Sequence, residues 1–203
     1  MSTNQFDPNT TAPWARALSF PAVLRDGTRV RVRPIAPTDK TRMAQAIDAM
    51  SPQTRYQRFH SLRGGLTDGE LRYLTELDYE HHVAWGALAE DEPGKPGIGA
   101  ARFVRDPEVP DTAEFTVTVV DAWQGRGLGS LLLRTLLVSA AERNLRCLVG
   151  TVLPENTGAL RVFERLGGQS YRFDDEAVIV EIPVGRPHRT PRASQEVLIR
   201  RPA

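Results

Sequence analysis

The chain has 203 residues, 40% of them hydrophobic and 25% charged, with a formal net charge of +1. That is the make-up of one globular domain with modest tails and a sizeable core, and the near-neutral charge gives no footprint for nucleic acid or an acidic membrane surface. The single cysteine, Cys147, excludes an internal disulfide framework and fits a reducing compartment. In the apolar run 145–149 it reads as a small buried hydrophobe rather than a nucleophile. No apolar run reaches the ~20 residues that cross a bilayer, and residues 1–13 lack the basic-then-apolar layout of a signal peptide. The expected location is cytoplasmic.

Residues 1–18, rich in Ser, Thr, Asn and Pro, are expected to form a flexible arm. The alternation Arg29-Val30-Arg31-Val32-Arg33 predicts a half-buried strand with its arginines on a solvated face. Pro37-Thr38-Asp39 opens a helix through Met43, Ile47 and Met50. A short helix follows Ser51-Pro52, with Tyr56 and Phe59 on one side. Thr67-Asp68-Gly69-Glu70 is a capping box leading into Leu71, Leu74 and Leu77. Strands are expected over 82–89 and 98–104, separated by the turn-rich segment 90–97, and again over 114–120.

That third strand runs into Gln124-Gly125-Arg126-Gly127-Leu128-Gly129, which opens a helix over 128–143. A strand that breaks into alternating glycines and then a helix directs several backbone N–H groups at one spot, and the helix N-terminus adds partial positive charge. Glycine allows close approach and positive φ, so the run suits a phosphate or pyrophosphate. It is not the dinucleotide fingerprint, whose third glycine is replaced by Ser130, and no Gly-Lys-Ser/Thr phosphate loop occurs in the chain. A strand over 148–153 stops at Pro154-Glu155-Asn156, and Asn156 caps a helix over 157–166 that ends at Gly167-Gly168. A strand over 177–182 closes the domain, placed at 19–183, and a Pro/Arg-rich tail occupies 184–203. The order predicts an α/β fold: a mixed central sheet with helices on both faces and a parallel pair joined by the helix after the glycine loop. The ligand is expected at the carboxyl end of the strand that carries the loop.

Gln-x-x-Gly-x-Gly after a strand, then a long helix, a strand, Pro-Glu-Asn and a helix ending in Leu-Gly-Gly resembles the GNAT superfamily of acyl-CoA-dependent N-acetyltransferases. The likeness covers residues 28–182 and is strongest over 114–168. It implies a splayed parallel strand pair holding acetyl-CoA as co-substrate, with no metal. Val117 and Val119 would line the pantetheine arm. The backbone N–H groups of Gln124, Gly125, Arg126, Gly127, Leu128 and Gly129 would hold the pyrophosphate, with the Ser130 hydroxyl beside them, and Asn156 would meet pantetheine in addition to capping its helix. The tyrosine that many members use to protonate the leaving thiolate is replaced by Phe163, read as core.

Ser51-Pro52-Gln53-Thr54-Arg55-Tyr56-Gln57-Arg58-Phe59, then Thr75-Glu76-Leu77-Asp78-Tyr79 and Ala113-Glu114-Phe115, resemble bacterial Pat-type protein lysine acetyltransferases. That resemblance implies protein lysines as acceptors, on proteins such as acyl-CoA synthetases, and Glu114 as general base. A solvated strand-start carboxylate is the plainer reading of Glu114. The base reading expects it to be partly desolvated with a raised pKa. The 203 residues are not expected to hold a cyclic-nucleotide or synthetase-like module besides this domain. Adjacent His81 and His82 point to opposite sides of an extended segment and lack metal-site spacing. Two alternatives stay open: a small-amine N-acetyltransferase and a non-catalytic acyl-CoA-binding module. No nucleic-acid or membrane partner is expected, and the oligomeric state is left undetermined.

Overall fold

The computed structural model describes residues 18–59, 65–172 and 177–185. Eight strands form one sheet in the order β1-β2-β3-β4-β5-β6-β8-β7. They are β1 (Phe20–Val23), β2 (Arg29–Pro34), β3 (His82–Ala89), β4 (Gly97–Arg105), β5 (Thr112–Val119), β6 (Cys147–Val152), β7 (Gln169–Arg172) and β8 (Val178–Pro183). Every neighbouring pair is antiparallel except β5 and β6. The helices are α1 (Lys40–Asp48), α2 (Pro52–Phe59), α3 (Asp68–Thr75), α4 (Leu128–Glu142) and α5 (Thr157–Arg165). The mixed α/β fold with a parallel pair beside the glycine loop is therefore present.

Strand register sorts side chains onto two faces. Ala87, Gly99 and Val119 lie in one row, Trp85, Ala101 and Val117 in the next, and Val83, Phe103 and Phe115 in a third. This face receives α4, whose Leu128, Leu132, Leu136 and Ala140 recur every four residues and are all fully buried. Gly99 is required here: a Cβ would stand 2.9 Å from Thr118 O and 3.2 Å from Leu132 Cδ1. The Trp85 indole donates to Ser139 Oγ at 2.9 Å and fixes α4 against β3. On the opposite face Arg33, Gly86, Ala100 and Thr118 share a row. Helix α1 covers that side, with Arg42 O and Ala46 over Gly97. A second apolar cluster forms there from Ile47, Met50, Leu74 and Val120.

Local chemistry explains most boundaries. Thr67 and Glu70 form the expected reciprocal cap of α3, with Glu70 N–H on Thr67 Oγ1 at 3.2 Å and Thr67 N–H on Glu70 Oε2 at 2.7 Å. Helix α3 stops at Thr75, so Leu77 lies beyond it. The segment from Pro37 begins as a single 3-10 turn, Pro37–Asp39, and α1 ends at Asp48 before Met50.

Strands β1 and β7, each four residues long, carry too little alternation to be read from sequence. The arginines of β2 correct another expectation. Arg29 is exposed and pairs with Asp91, and Arg31 is partly buried on Glu90. Arg33 is only 4% exposed: it is clamped by the Asp39 carboxylate (Nη1–Oδ2 2.7 Å), which also accepts from Ala36 N–H at 2.8 Å. The arm of 1–18 and the tail of 184–203 fall almost wholly outside the described residues. No helix is long and apolar enough to cross a membrane among the described residues.

Candidate active site

β5 and β6 pair only through Thr112 with Cys147, Ala113 with Leu148 and Glu114 with Val149. Beyond that point the two strands continue, to Val119 and Val152, without pairing to each other, and a cleft of about 660 Å³ opens between them. The vertex is closely packed. The Phe115 ring occupies the space a side chain on Gly150 would need, with Cε1 2.8 Å from that position. It also stands edge-on to Phe163, centroids 5.2 Å apart at 84°. Phe163 is buried, as expected of a core residue.

The backbone of β5 faces the cleft in a fixed pattern. Val120 N–H donates to Ile98 O on β4, and Thr112 O accepts from Asp106 N–H, both at 3.0 Å. Alternate residues point their main-chain groups to opposite edges of a strand. Even-numbered residues of β5 therefore serve β4, and Val117 and Val119, beyond the last pair with β6, turn N–H and C=O toward the gap. The side chains of Val117 and Val119 pack beside Gly129, whose Cβ position lies 3.7 Å from Val119 Cγ2.

At the far end the glycine loop closes the cleft. Gly125 (φ 74°) and Gly127 (φ 93°) are left-handed, a conformation that side chains disfavour. Gly127 is the N-cap of α4, and no side chain caps the helix there. The first N–H groups of the helix, from Leu128 to Ser130, have no intrahelical acceptor. Together with the helix dipole they fit an anion.

The cleft is lined by Glu114, Val117, Val119, Gln124, Gly125, Gly127, Leu128, Gly129, Ser130 and Asn156. Two predicted residues behave otherwise than expected. Arg126 turns its guanidinium away, onto Ala122 O (2.8 Å), Asp26 (3.0 Å) and the face of Trp123 (4.9 Å). The Gln124 N–H is donated to Asp121 O at 3.1 Å and is therefore already used within the loop. Its side-chain amide instead ties off Val119 O at 3.1 Å. Leu128 lines the cleft although its side chain is part of the core.

Asn156 Oδ1 accepts from Ala159 N–H at 3.1 Å and caps α5 at the cleft wall. Glu114 stands at the vertex with an exposed side chain, so the desolvation expected of it is absent. The alternation of β5 places it with Thr116 and Thr118 on the face away from α4.

The Ser-Pro-x-Thr start of α2 anchors this region. Ser51 N–H (2.9 Å), Ser51 Oγ (2.8 Å) and Thr54 Oγ1 (2.7 Å) all donate to Asp121, directly after β5. Burial opposes the Asp121 charge, yet these donors hold its carboxyl below the usual range. Burial likewise opposes Asp78, but the backbone N–H groups of His82, Glu80 and His81 bring it down to about 2. Burial, reinforced by the Arg102 guanidinium, lowers His82 to about 4. Its Nε2 lies 3.1 Å from Arg102 Nη1, so the neutral ring accepts there and is not placed to take up a substrate proton. Cys147 is half-buried and outside the cleft lining, its thiol pKa raised by burial and by Glu181. Among the described residues no three His, Cys, Asp or Glu side chains gather into a metal site.

Sequence reasoning missed Arg25, Thr54, Phe115 and Gly150, all of which line the cleft. Gly150 inside an apolar strand was a usable signal. Arg25 had none, because its place depends on a contact between segments distant in sequence.

Residues 51–168 match the acetyltransferase (GNAT) family. The chain belongs to the GNAT acetyltransferase family. Acetyl-CoA is the co-substrate expected of such an enzyme. The chain is 37% identical over 165 residues to Acetyltransferase Pat of Mycolicibacterium smegmatis, across 81% of this chain and 49% of that protein. It thus spans about half the length of that relative. The GNAT domain of S. lividans PAT superposes with a TM-score of 0.75 at 31% identity, covering 82% of this chain and 97% of that one. A cAMP-binding acyltransferase from Mycobacterium smegmatis superposes at 0.59 with 31% identity, covering 85% and 52%.

Proposed function

We propose that this GNAT protein transfers the acetyl group of acetyl-CoA to lysine side chains of proteins, of the acyl-CoA synthetase class, with Glu114 as general base. The observation that carries the reading is the position of Glu114 at the vertex of the splay, at the end of the cleft opposite the glycine loop. From Val119 back to Glu114 the strand covers roughly 17 Å at ~3.3 Å per residue. That is the reach of an extended pantetheine arm. A pyrophosphate on the loop would therefore bring the thioester beside Glu114. The resemblance of 51–59, 75–79 and 113–115 to Pat-type enzymes supports the choice of acceptor.

The base answers a definite obstacle. A lysine ammonium titrates near ~10.4, so about one in 2,500 is neutral at pH 7, a handicap of roughly 4.6 kcal/mol. The ammonium first gives up one proton, directly or through a water, to the Glu114 carboxylate. The freed lone pair then forms the N–C bond as the C–S bond breaks, and water takes the second nitrogen proton while the first stays on Glu114. Being exposed, it returns that proton to solvent. The main-chain N–H of Val117, facing the gap, polarises the thioester carbonyl. Phe163 has no proton to give. A thiol of pKa about 8.5 leaves as the thiolate without an acid.

The test is intact-mass spectrometry of a purified acyl-CoA synthetase after incubation with acetyl-CoA and either wild type or Glu114→Gln. An increment of about 42 Da with wild type, and little with the variant, is expected. An increment equal in both removes Glu114 as base. No increment while acetyl-CoA still binds removes the protein acceptor. One observation favours a second reading, N-acetylation of a small amine. A smaller cavity of about 70 Å³ under α1 shares Thr116 and Thr118 with the main cleft. Acetylated products on a polyamine or amino-acid panel, with none on protein, would establish it.

A further inference from the structure

We infer that Arg25, on the turn between β1 and β2, is a phosphate-binding residue of the cleft that grips the pyrophosphate of acyl-CoA together with the glycine loop. The inference rests on the acyl-CoA reading of the cleft and adds a residue that no part of the loop motif contains.

The turn is fastened to the loop at two points. Arg25 N–H donates to Arg126 O at 3.1 Å, and Asp26 pairs with the Arg126 guanidinium at 3.0 Å. These links lay the Arg25 side chain along Gly127. A Cβ on Gly127 would stand 3.3 Å from Arg25 Nε and 3.4 Å from Cγ. Arg25 thus lines the cleft at the N-terminus of α4, a helix of 15 residues.

Electrostatically this is the wrong end of a helix for a cation, since the first turn carries partial positive charge. No carboxylate pairs with Arg25 among the described residues. Its neighbour Asp26 is engaged by Thr28 N–H (3.1 Å) and by Arg126, which hold that carboxyl below its usual range. The start of α4 has no side-chain cap either. Guanidinium and helix N–H groups therefore converge on one volume with no negative charge in it. A diphosphate supplies that charge and can accept from both, with the guanidinium fork suited to two of its oxygens. Exposed to water, Arg25 keeps its hydration until the ligand arrives. Arg161, also at the cleft, is already donated to Thr157 O (3.1 Å) and Thr157 Oγ1 (3.3 Å).

Calorimetric titration of wild type and Arg25→Ala with CoA and with dephospho-CoA, which lacks the 3′-phosphate, tests the assignment. Turnover with S-acetylpantetheine, which has no pyrophosphate, is compared in parallel. Loss of one charge-assisted contact predicts an affinity about tenfold to a hundredfold weaker, the same for CoA and dephospho-CoA. S-acetylpantetheine turnover is expected to be unchanged, and the unliganded melting temperature not lowered, because a cation leaves the positive end of α4. Equal CoA affinity in the two proteins overturns the role of Arg25. So does a loss confined to CoA, which would assign the 3′-phosphate instead, or an equal loss of S-acetylpantetheine turnover, which would mean a structural role. Wild type that fails to bind CoA overturns the acyl-CoA reading of the cleft and the inference with it.

Discussion

Gly150→Ala probes the packing at the vertex of the splay. The added methyl would sit 2.8 Å from Phe115 Cε1, 3.0 Å from Cζ and 3.2 Å from Cδ1. All three are atoms of a rigid ring, so no flexible end can swing away. The ring itself is 3% exposed and braced edge-on by Phe163. Overpacking of this kind costs about 1–3 kcal/mol. Alanine in place of glycine recovers roughly 0.5–1 kcal/mol by restricting the unfolded chain. The net is a destabilisation of about 1–2 kcal/mol, or a melting temperature lower by about 2–8 °C for a domain of this size. Thermal unfolding followed by circular dichroism measures it. Pairing the change with Phe115→Leu removes the clash, so the double variant should be more stable than the sum of the single effects by about 1 kcal/mol. A melting temperature unchanged or raised in Gly150→Ala, or strict additivity in the double variant, would refute the claim that ring and backbone are wedged at the vertex.

The Arg33–Asp39 pair gives a second expectation. Both residues are about 95% buried, and Asp39→Ala strands a guanidinium away from water, a loss of about 3–5 kcal/mol readable by urea denaturation. Replacing both partners by apolar residues of similar volume should cost clearly less. Acid stability follows from His82, whose pKa falls from an ordinary 6.5 to about 4 on folding. Between those values the unfolded chain binds more protons than the folded one. The contribution is therefore complete above pH 6.5 and is lost as pH falls toward 4; because the ring is only partly buried, solvent screening reduces it to about 1–2 kcal/mol. The difference in urea stability between wild type and His82→Gln should shrink over that window. Asp78, held at about 2, stays charged across it and does not mask the effect.

Features set by near neighbours in the chain were legible without a structure. The leucine stripe of α4, the Thr67–Glu70 cap, the Asn156 cap and the glycine loop each depend on residues within a turn or two of one another. Their chemistry is therefore visible in spacing alone. The same locality explains why the cleft lining was largely anticipated: β5, the loop and the start of α4 are consecutive. Periodicity correctly placed the arginines of β2 on one face, but not what would cover that face. Asp39 on the following turn comes back over Arg33 and buries it.

What the tertiary structure decided was how each donor of the loop is used. Alternation of the strands and the run of glycines already placed the loop at the end of β5 and the fold around it. They did not show that Gln124 would give its N–H to Asp121, or that Arg126 would be drawn outward by Asp26 and Trp123. Nor did they show that Arg25 would be set over Gly127 in its place. The exposure of Glu114 belongs to the same class, since it depends on where β6 departs from β5 and not on the apolar strand that Glu114 begins. A local pattern specifies which way a side chain leaves its own element. Only the docking of distant elements, driven by burial of their apolar faces, determines which charge it meets there.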